Sequence, residues 1–189
     1  LHFFAIRNGP MHHVRQDELP LIGSSLNFVG ADQGNVDISV FLFDGAPGAG
    51  PGPHRHPYDE VQFIRSGRGR YVVDGREFEA QAPVLLMLAP GSVHGFTYTP
   101  DTVGHQVTVP TATLQQLLGG SQLAHTEFAT SCVLPDVEGQ SMADSQRLFA
   151  QVAREFRTES PGRVHALLAC ATLLAVQFLR QRGEHFRRE

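Results

Sequence analysis

The twenty residues from Gly48 to Gly67, GAGPGPHRHPYDEVQFIRSG, constrain this chain more than any other stretch. They set His54 and His56 two apart and Glu60 four further on, with a glycine six residues before His54 and another seven after Glu60. On a β-strand, residues i and i+2 share a face, so both imidazoles can meet one point. Joined by a carboxylate and a later histidine, such a set suits a divalent transition metal. The stretch predicts a small β-barrel with a metal-capable pocket.

The rest of the 189 residues fits one domain of ordinary size with an appendage. Hydrophobic content of 41% against 18% charged residues predicts a soluble globular chain rather than a disordered one. All 15 basic residues are arginine, which excludes Schiff-base chemistry and a P-loop lysine. A net charge of −4 carries no nucleic-acid signature. The two cysteines, Cys132 and Cys170, lie far apart without CxxC spacing, which predicts buried thiols in a reducing cytoplasm rather than a disulfide frame or a thiolate zinc site. No stretch resembles a signal peptide or a membrane span.

Short apolar segments alternate with glycine and proline turns up to Val109. Strands are predicted at His2 to Ile6, Leu26 to Val29, Val36 to Phe43, Val61 to Ile64, Arg70 to Val73, Glu77 to Ala80, Val84 to Leu88, Phe96 to Tyr98 and His105 to Val109. Asp74-Gly75 is a two-residue hairpin signal, and the unbroken apolar run Val84 to Leu88 suits a strand buried on both sides. Adjacent His12 and His13 would face opposite ways on a strand and chelate poorly. Asp59, next to Glu60, should point away from it. Arg65, Arg68, Arg70 and Arg76 read as a solvated hairpin face.

Beyond Val109 the pattern turns helical. Thr113 to Leu118 reads as a short helix stopped by Gly119-Gly120, residues 121–140 as irregular, and a helix starts at Asp144 with Leu148, Val152 and Phe156 four apart. Ser160-Pro161 reads as an N-cap and first helical position for a last helix ending at Gly183. That helix carries Leu167, Leu174 and Phe178 on one side and Ala169, Leu173 and Val176 on others, so it should be covered on more than one face.

The spacing G-x5-H-x-H-x3-E-x6-G, filled by Gly48, His54, His56, Glu60 and Gly67, resembles the first motif of the cupin superfamily, and Gly91-x2-His94 keeps the core of the second. The second motif departs from the family at its first glycine, its proline and its final asparagine, where Tyr98 stands. The resemblance implies a mainly β fold: a single cupin (double-stranded β-helix, jelly-roll) barrel over residues 1–112, a short helix and linker over 113–143, and a C-terminal α-helical hairpin over 144–189. It implies His54, His56, Glu60 and His94 as ligands of a divalent transition metal, Zn, Fe, Mn, Ni or Cu; without a metal the same residues form a polar pocket wall. Tyr58, Gln62, Tyr71, Met87 and Phe96, with Phe63 and Tyr98, are candidates to line a small-ligand cavity.

One barrel followed by two helices further resembles the N-terminal sensor half of AraC-type transcription regulators, on the AxAPVLLMLAPGSVHGF run, the Gly104 to Thr108 segment entering TxxLxxLL, and VAREFRTESPGRVHALLACATLLAVQFLR. This resemblance implies a cytoplasmic, ligand-sensing domain that binds a small molecule in the barrel and forms a homodimer through the C-terminal helices, reaching DNA only through a module absent from this chain. The alternative is a metal-dependent cupin enzyme, an Fe(II) dioxygenase before an isomerase, because the full ligand set is kept.

Overall fold

The computed structural model describes residues 38–44, 48–49, 52–119, 128–135, 137–158 and 160–188. The segments predicted at His2 to Ile6 and Leu26 to Val29, and His12 and His13, lie outside the described residues.

Two antiparallel sheets face each other. In chain order the strands are β1 (Ser39–Asp44), β2 (Gly48–Ala49), β3 (Tyr58–Ser66), β4 (Arg68–Val73), β5 (Arg76–Gln81), β6 (Val84–Leu88), β7 (His94–Tyr98), β8 (Val103–Pro110) and β9 (Cys132–Leu134). Helix α1 (Thr111–Leu117) follows β8, and α2 (Gly139–Arg157) and α3 (Arg163–Arg188) close the chain. One sheet has the order β1-β8-β3-β6-β9 and the other β2-β7-β4-β5. No ladder joins the two sheets into one closed barrel among the described residues. A mainly β sandwich followed by C-terminal helices is the fold the resemblance implies.

Strand alternation divides the apolar residues into two cores. Between the sheets lie Ile64, Val84, Leu86 and Leu88 from the first, against Tyr71, Val73, Ala80, Phe96 and Tyr98 from the second. On the outer face of the first sheet, Val61, Phe63, Leu85, Met87, Val107 and Val109 pack under Phe149, Val152 and Phe156 of α2 and Leu167, Leu174 and Phe178 of α3. Strand β6 is buried at all five positions because it belongs to both layers, as its unbroken apolar run predicts. The outer face of the second sheet is wet: Arg68, Arg70, Glu77 and Glu79 are exposed there, with Arg70 and Glu77 paired, and Arg76, register partner of Val73, is exposed at the hairpin end.

Local chemistry fixes the turns. Asp74 and Gly75 both have positive φ (49° and 77°), the conformation a tight two-residue hairpin between β4 and β5 requires. At Gly104, a Cβ would come within 2.4 Å of the Phe63 carbonyl oxygen, so only glycine lets β8 approach β3 there.

Helices α1 and α2 start earlier than their sequence signals indicate, whereas α3 starts later and runs further. Helix α2 begins at Gly139 rather than Asp144, and Gln177 ties this first turn to the last helix by donating from Nε2 to the Ser141 carbonyl at 3.4 Å. Pro161 and Gly162 form a turn, and α3 begins at Arg163, whose N–H donates to the Ser160 carbonyl at 3.1 Å. Gly183 lies inside α3 rather than ending it. Arg163 clasps the hairpin: its Nε donates to the Glu155 carbonyl at 3.1 Å, its Nη2 to that of Phe156, and its guanidinium lies 5.7 Å from the Phe156 ring centroid. Those carbonyls belong to the last turn of α2 and have no partner within the helix. The segment expected to be irregular contains β9, a three-residue edge strand paired with β6. It is too short for periodicity to reveal.

Of α3, Leu167, Cys170, Ala171, Leu174, Ala175 and Phe178 are buried, while Leu173 is 52% exposed. By length and mean hydropathy (1.4) the stretch Arg163–Gly183 reaches what a membrane crossing takes, where the sequence reading finds no span; half of it is buried inside the protein.

Candidate functional site

The histidine stretch meets the second glycine-histidine segment at one rim of the sandwich. His54 and His94 face each other as a single antiparallel bridge, each N–H donating to the other's carbonyl at 2.9 and 2.8 Å. Directly paired residues send side chains to the same face, and the two ring centroids are 4.4 Å apart. His56 joins them at 4.7 Å from His94, held from below by the Gly91 N–H, which donates to the His56 carbonyl at 2.8 Å. The ligand-capable atoms of His54, His56 and His94 all lie within 4.8 Å of one another.

Each imidazole is oriented by its own backbone. Nδ1 of His54 donates to the Gly52 carbonyl, Nδ1 of His56 to that of Tyr58 and Nδ1 of His94 to that of Ser92, each at 3.0 Å. A carbonyl only accepts, so each Nδ1 carries a proton and Nε2 is left as the atom of each ring that can bind an ion. Nε2 of His56 and of His94 are buried without a hydrogen-bond partner. Burial lowers the pKa of His54, and lowers that of His94 to about 4, because the charged rings would lose their water.

Glu60, on β3, closes the fourth side. Its Oε2 lies 3.2 Å from Nε2 of His56, both side chains almost wholly buried. A carboxylate oxygen facing a lone pair at that distance in a dry site needs a cation between them, a proton or a metal ion. Burial alone would raise the Glu60 pKa, but His56, the field of His94 and the Gln62 amide outweigh it and hold the carboxyl below its usual range. The donor set of three imidazole Nε2 atoms and one carboxylate therefore fits a divalent transition metal.

Behind Glu60 stands a connected amide network. Nε2 of Gln62 donates to Oε1 of Glu60 at 2.6 Å and Nε2 of Gln106 to Oε2 at 2.8 Å. The Tyr98 hydroxyl donates to Oε1 of Gln62 at 2.5 Å. Gln62 and Gln106 are register partners across β3 and β8, which is why their amides meet over one carboxylate. The sequence reading missed Gln106, whose only signal is its parity with Gln62 once the two strands are paired.

A second missed residue supports His94. Asp74, read as a turn residue, accepts from the Ser92 hydroxyl at 2.8 Å and the Val93 N–H at 2.9 Å, and its own N–H donates to the Val93 carbonyl at 2.8 Å. It thus fixes the loop whose Ser92 carbonyl orients His94.

The lining candidates divide. Tyr58 stacks on His56 at 3.9 Å and Phe96 on His94 at 5.3 Å, so both adjoin the cluster. Gln62 and Tyr98 belong to the network. Tyr71 is fully buried between the sheets, its hydroxyl without a partner. Met87 and Phe63, expected in the cavity, lie on the opposite face under the helices; Met87 pairs with Val61, one position out of phase with Glu60 and Leu88. Asp59 points away from Glu60 as expected, is 2% exposed, and burial raises its pKa to about 6.

Comparison with known proteins bears on the same residues. The family model for the AraC-like ligand binding domain matches residues 39–176, which takes in the described sandwich and most of the helical hairpin. Among solved structures, ToxT from Vibrio cholerae aligns with a TM-score of 0.52 at 9% identity over 80% of this chain, which spans 58% of the ToxT chain. KdgF from a Halomonas species aligns at 0.36 and 16% identity, over 52% of this chain and 94% of that one. A cupin protein from Bacteroides fragilis aligns at 0.32 and 21% identity, over 45% and 83%. These likenesses bear on fold alone. No curated protein matches the chain. With its family model covering well over half of the sequence, the chain belongs to the AraC-like ligand binding domain family.

Proposed function

We propose that this chain is the ligand-sensing and dimerising part of an AraC-type transcription regulator, a cytoplasmic protein that binds a small molecule between the sheets of its sandwich. The observation that carries the proposal is the extent of the family match, which takes in sandwich and helix hairpin together. The sandwich supplies the pocket, and α3, with Leu173 half exposed beside the buried stripe, supplies a surface for a second copy. DNA would be reached through a helix-turn-helix module outside these residues. Reading the coding sequence past Glu189 tests this: a helix-turn-helix pair supports it, and a stop codon there sinks it.

Within the pocket, His54, His56, His94 and Glu60 would hold a divalent transition metal. When bound, such an ion supplies a Lewis-acidic point at which an electron-rich ligand atom can dock. Gln62 and Gln106 hold the carboxylate in place, and the Gly52, Tyr58 and Ser92 carbonyls keep the imidazoles in the tautomer that can bind. Metal content of the purified chain, against a His54→Ala/His56→Ala double variant, tests this. Equal content in both would dismiss the site.

The complete donor set also favours a second reading, a metal-dependent dioxygenase. Oxygen consumption by the Fe(II)-loaded chain with candidate phenols tests it, and no uptake above the double variant rules it out.

A further inference from the structure

We infer that the small molecule this interior takes is a monoanion with an apolar body, of the monocarboxylate class, rather than a sugar or other polyol. The inference rests on the metal reading of the histidine cluster and adds the chemistry of what would lie beside it.

Charge is the first ground. Among the described residues, the space between the sheets holds one buried carboxylate, Glu60, and no buried arginine: Arg55, Arg65, Arg68, Arg70 and Arg76 are all exposed, and Asp59 faces the helices. As ligands of an ion the three imidazoles are neutral, each giving it the Nε2 lone pair that its Nδ1–H bond leaves available. A divalent ion held there with Glu60 would leave a single uncompensated positive charge in a dry site, which is costly. A monoanion cancels it. A neutral ligand leaves it, and a dianion reverses it.

Hydrogen bonding is the second. The interior amides are spent on one another: both Glu60 oxygens are taken by Gln62 and Gln106, and Oε1 of Gln62 by the Tyr98 hydroxyl. Of the other hydroxyls on this face, that of Tyr58 belongs to the residue stacked on His56, Thr108 is level with Glu60 in the register, and that of Tyr71 is buried without a partner. A polyol with a hydroxyl on every carbon would bury most of them unpaired, at a cost in binding for each. A ligand whose polarity is gathered at one head avoids that cost. The third ground is the wall: Leu88 and Leu86 lie beside Glu60 and Gln62 as their register partners on the neighbouring strand, and Phe96 flanks His94.

The test uses the chain loaded with Co(II), whose visible bands report on its ligands, and four probes: benzoate, benzamide, xylose and phenylphosphonate at a pH where it is doubly charged. Benzoate should shift the bands saturably and bind at least about tenfold more tightly than benzamide, xylose or phenylphosphonate. In Glu60→Gln the preference between phenylphosphonate and benzoate should move about tenfold toward the dianion, because the site loses its internal negative charge. Cobalt content and melting temperature of that variant, measured alongside, show that it is folded and loaded; the comparison of benzoate with benzamide and xylose in the unchanged chain does not depend on it. If benzamide or xylose binds as well as benzoate, or if Glu60→Gln leaves the anion preference unchanged, the inference is overturned while the metal reading stands. If the unchanged chain retains no more cobalt than His54→Ala/His56→Ala, the metal reading falls and the inference with it.

Discussion

His94 and Asp59 act on stability through the same cause, burial, with opposite signs. In the metal-free chain His94 stays neutral down to about 4 instead of its ordinary 6.5, so the unfolded chain binds the extra proton between those values and stability rises with pH across that window. Asp59, raised from 3.8 to about 6, keeps a proton in the folded chain that the unfolded chain releases, so its contribution falls as pH rises between those values. The two largely offset each other. Asp59→Asn removes one side of the balance, and stability should then climb more steeply from pH 4 to 6.5, by up to about 1.4 kcal/mol per pH unit. Denaturant midpoints of both proteins over that range check it, and equal slopes would refute a neutral Asp59. The Asp74 carboxylate has a different reach. Asp74→Ala should leave the sandwich folded but free the Ser92–Val93 loop, lowering metal affinity by about tenfold in a chelator competition, with Asp74→Asn intermediate. From sequence, Asp74 is legible as a turn residue because its dipeptide is local. Its second role depends on β7 lying beside β4, which no local pattern encodes.

Strands β3 and β8 form the element on which both halves of the protein rest. One face of β3 carries Glu60, Gln62 and Ile64 into the space between the sheets, and the other carries Val61 and Phe63 into the helix-covered core. Phe63 stacks on Phe149 of α2 with centroids 5.7 Å apart, and His105, its register partner on β8, lies 6.1 Å from the same ring. Phe149 is 1% exposed, and Phe149→Ala should cost about 3–5 kcal/mol by chemical denaturation, loosening the joint between pocket and hairpin. This two-sidedness also explains what the sequence misplaces. Strand existence is legible from the glycine and proline turns, and the histidine and glutamate positions from their spacing. The side taken by Met87 or Phe63 is not, because a strand buried on both faces has no alternation to read. Only the register of Met87 against Val61, fixed by pairing, decides it. The short β9 escapes for the related reason that three residues hold no period.

For the molecule as a whole, the unfinished surface is α3. Leu173 is half exposed on a helix whose opposite stripe is buried, and the proposed second copy would cover it. Leu173→Glu should shift the chain from dimer to monomer in sedimentation velocity without lowering the unfolding free energy of the monomer by more than about 1 kcal/mol, since the residue contributes little to its own core. A chain that is monomeric before the change would end the dimer proposal. The His54–His94 bridge has a further consequence, seen in terms of chain topology. His54 belongs to the segment leading into the first sheet and His94 to a strand of the second, so an ion shared by them would act as a removable cross-link closing a loop of roughly forty residues. Closing such a loop removes conformational freedom from the unfolded chain in the way a disulfide does, but reversibly and on demand. Stripping the ion should therefore lower the melting temperature in proportion to the logarithm of free metal, and restoring it should return the lost stability without any change in covalent structure.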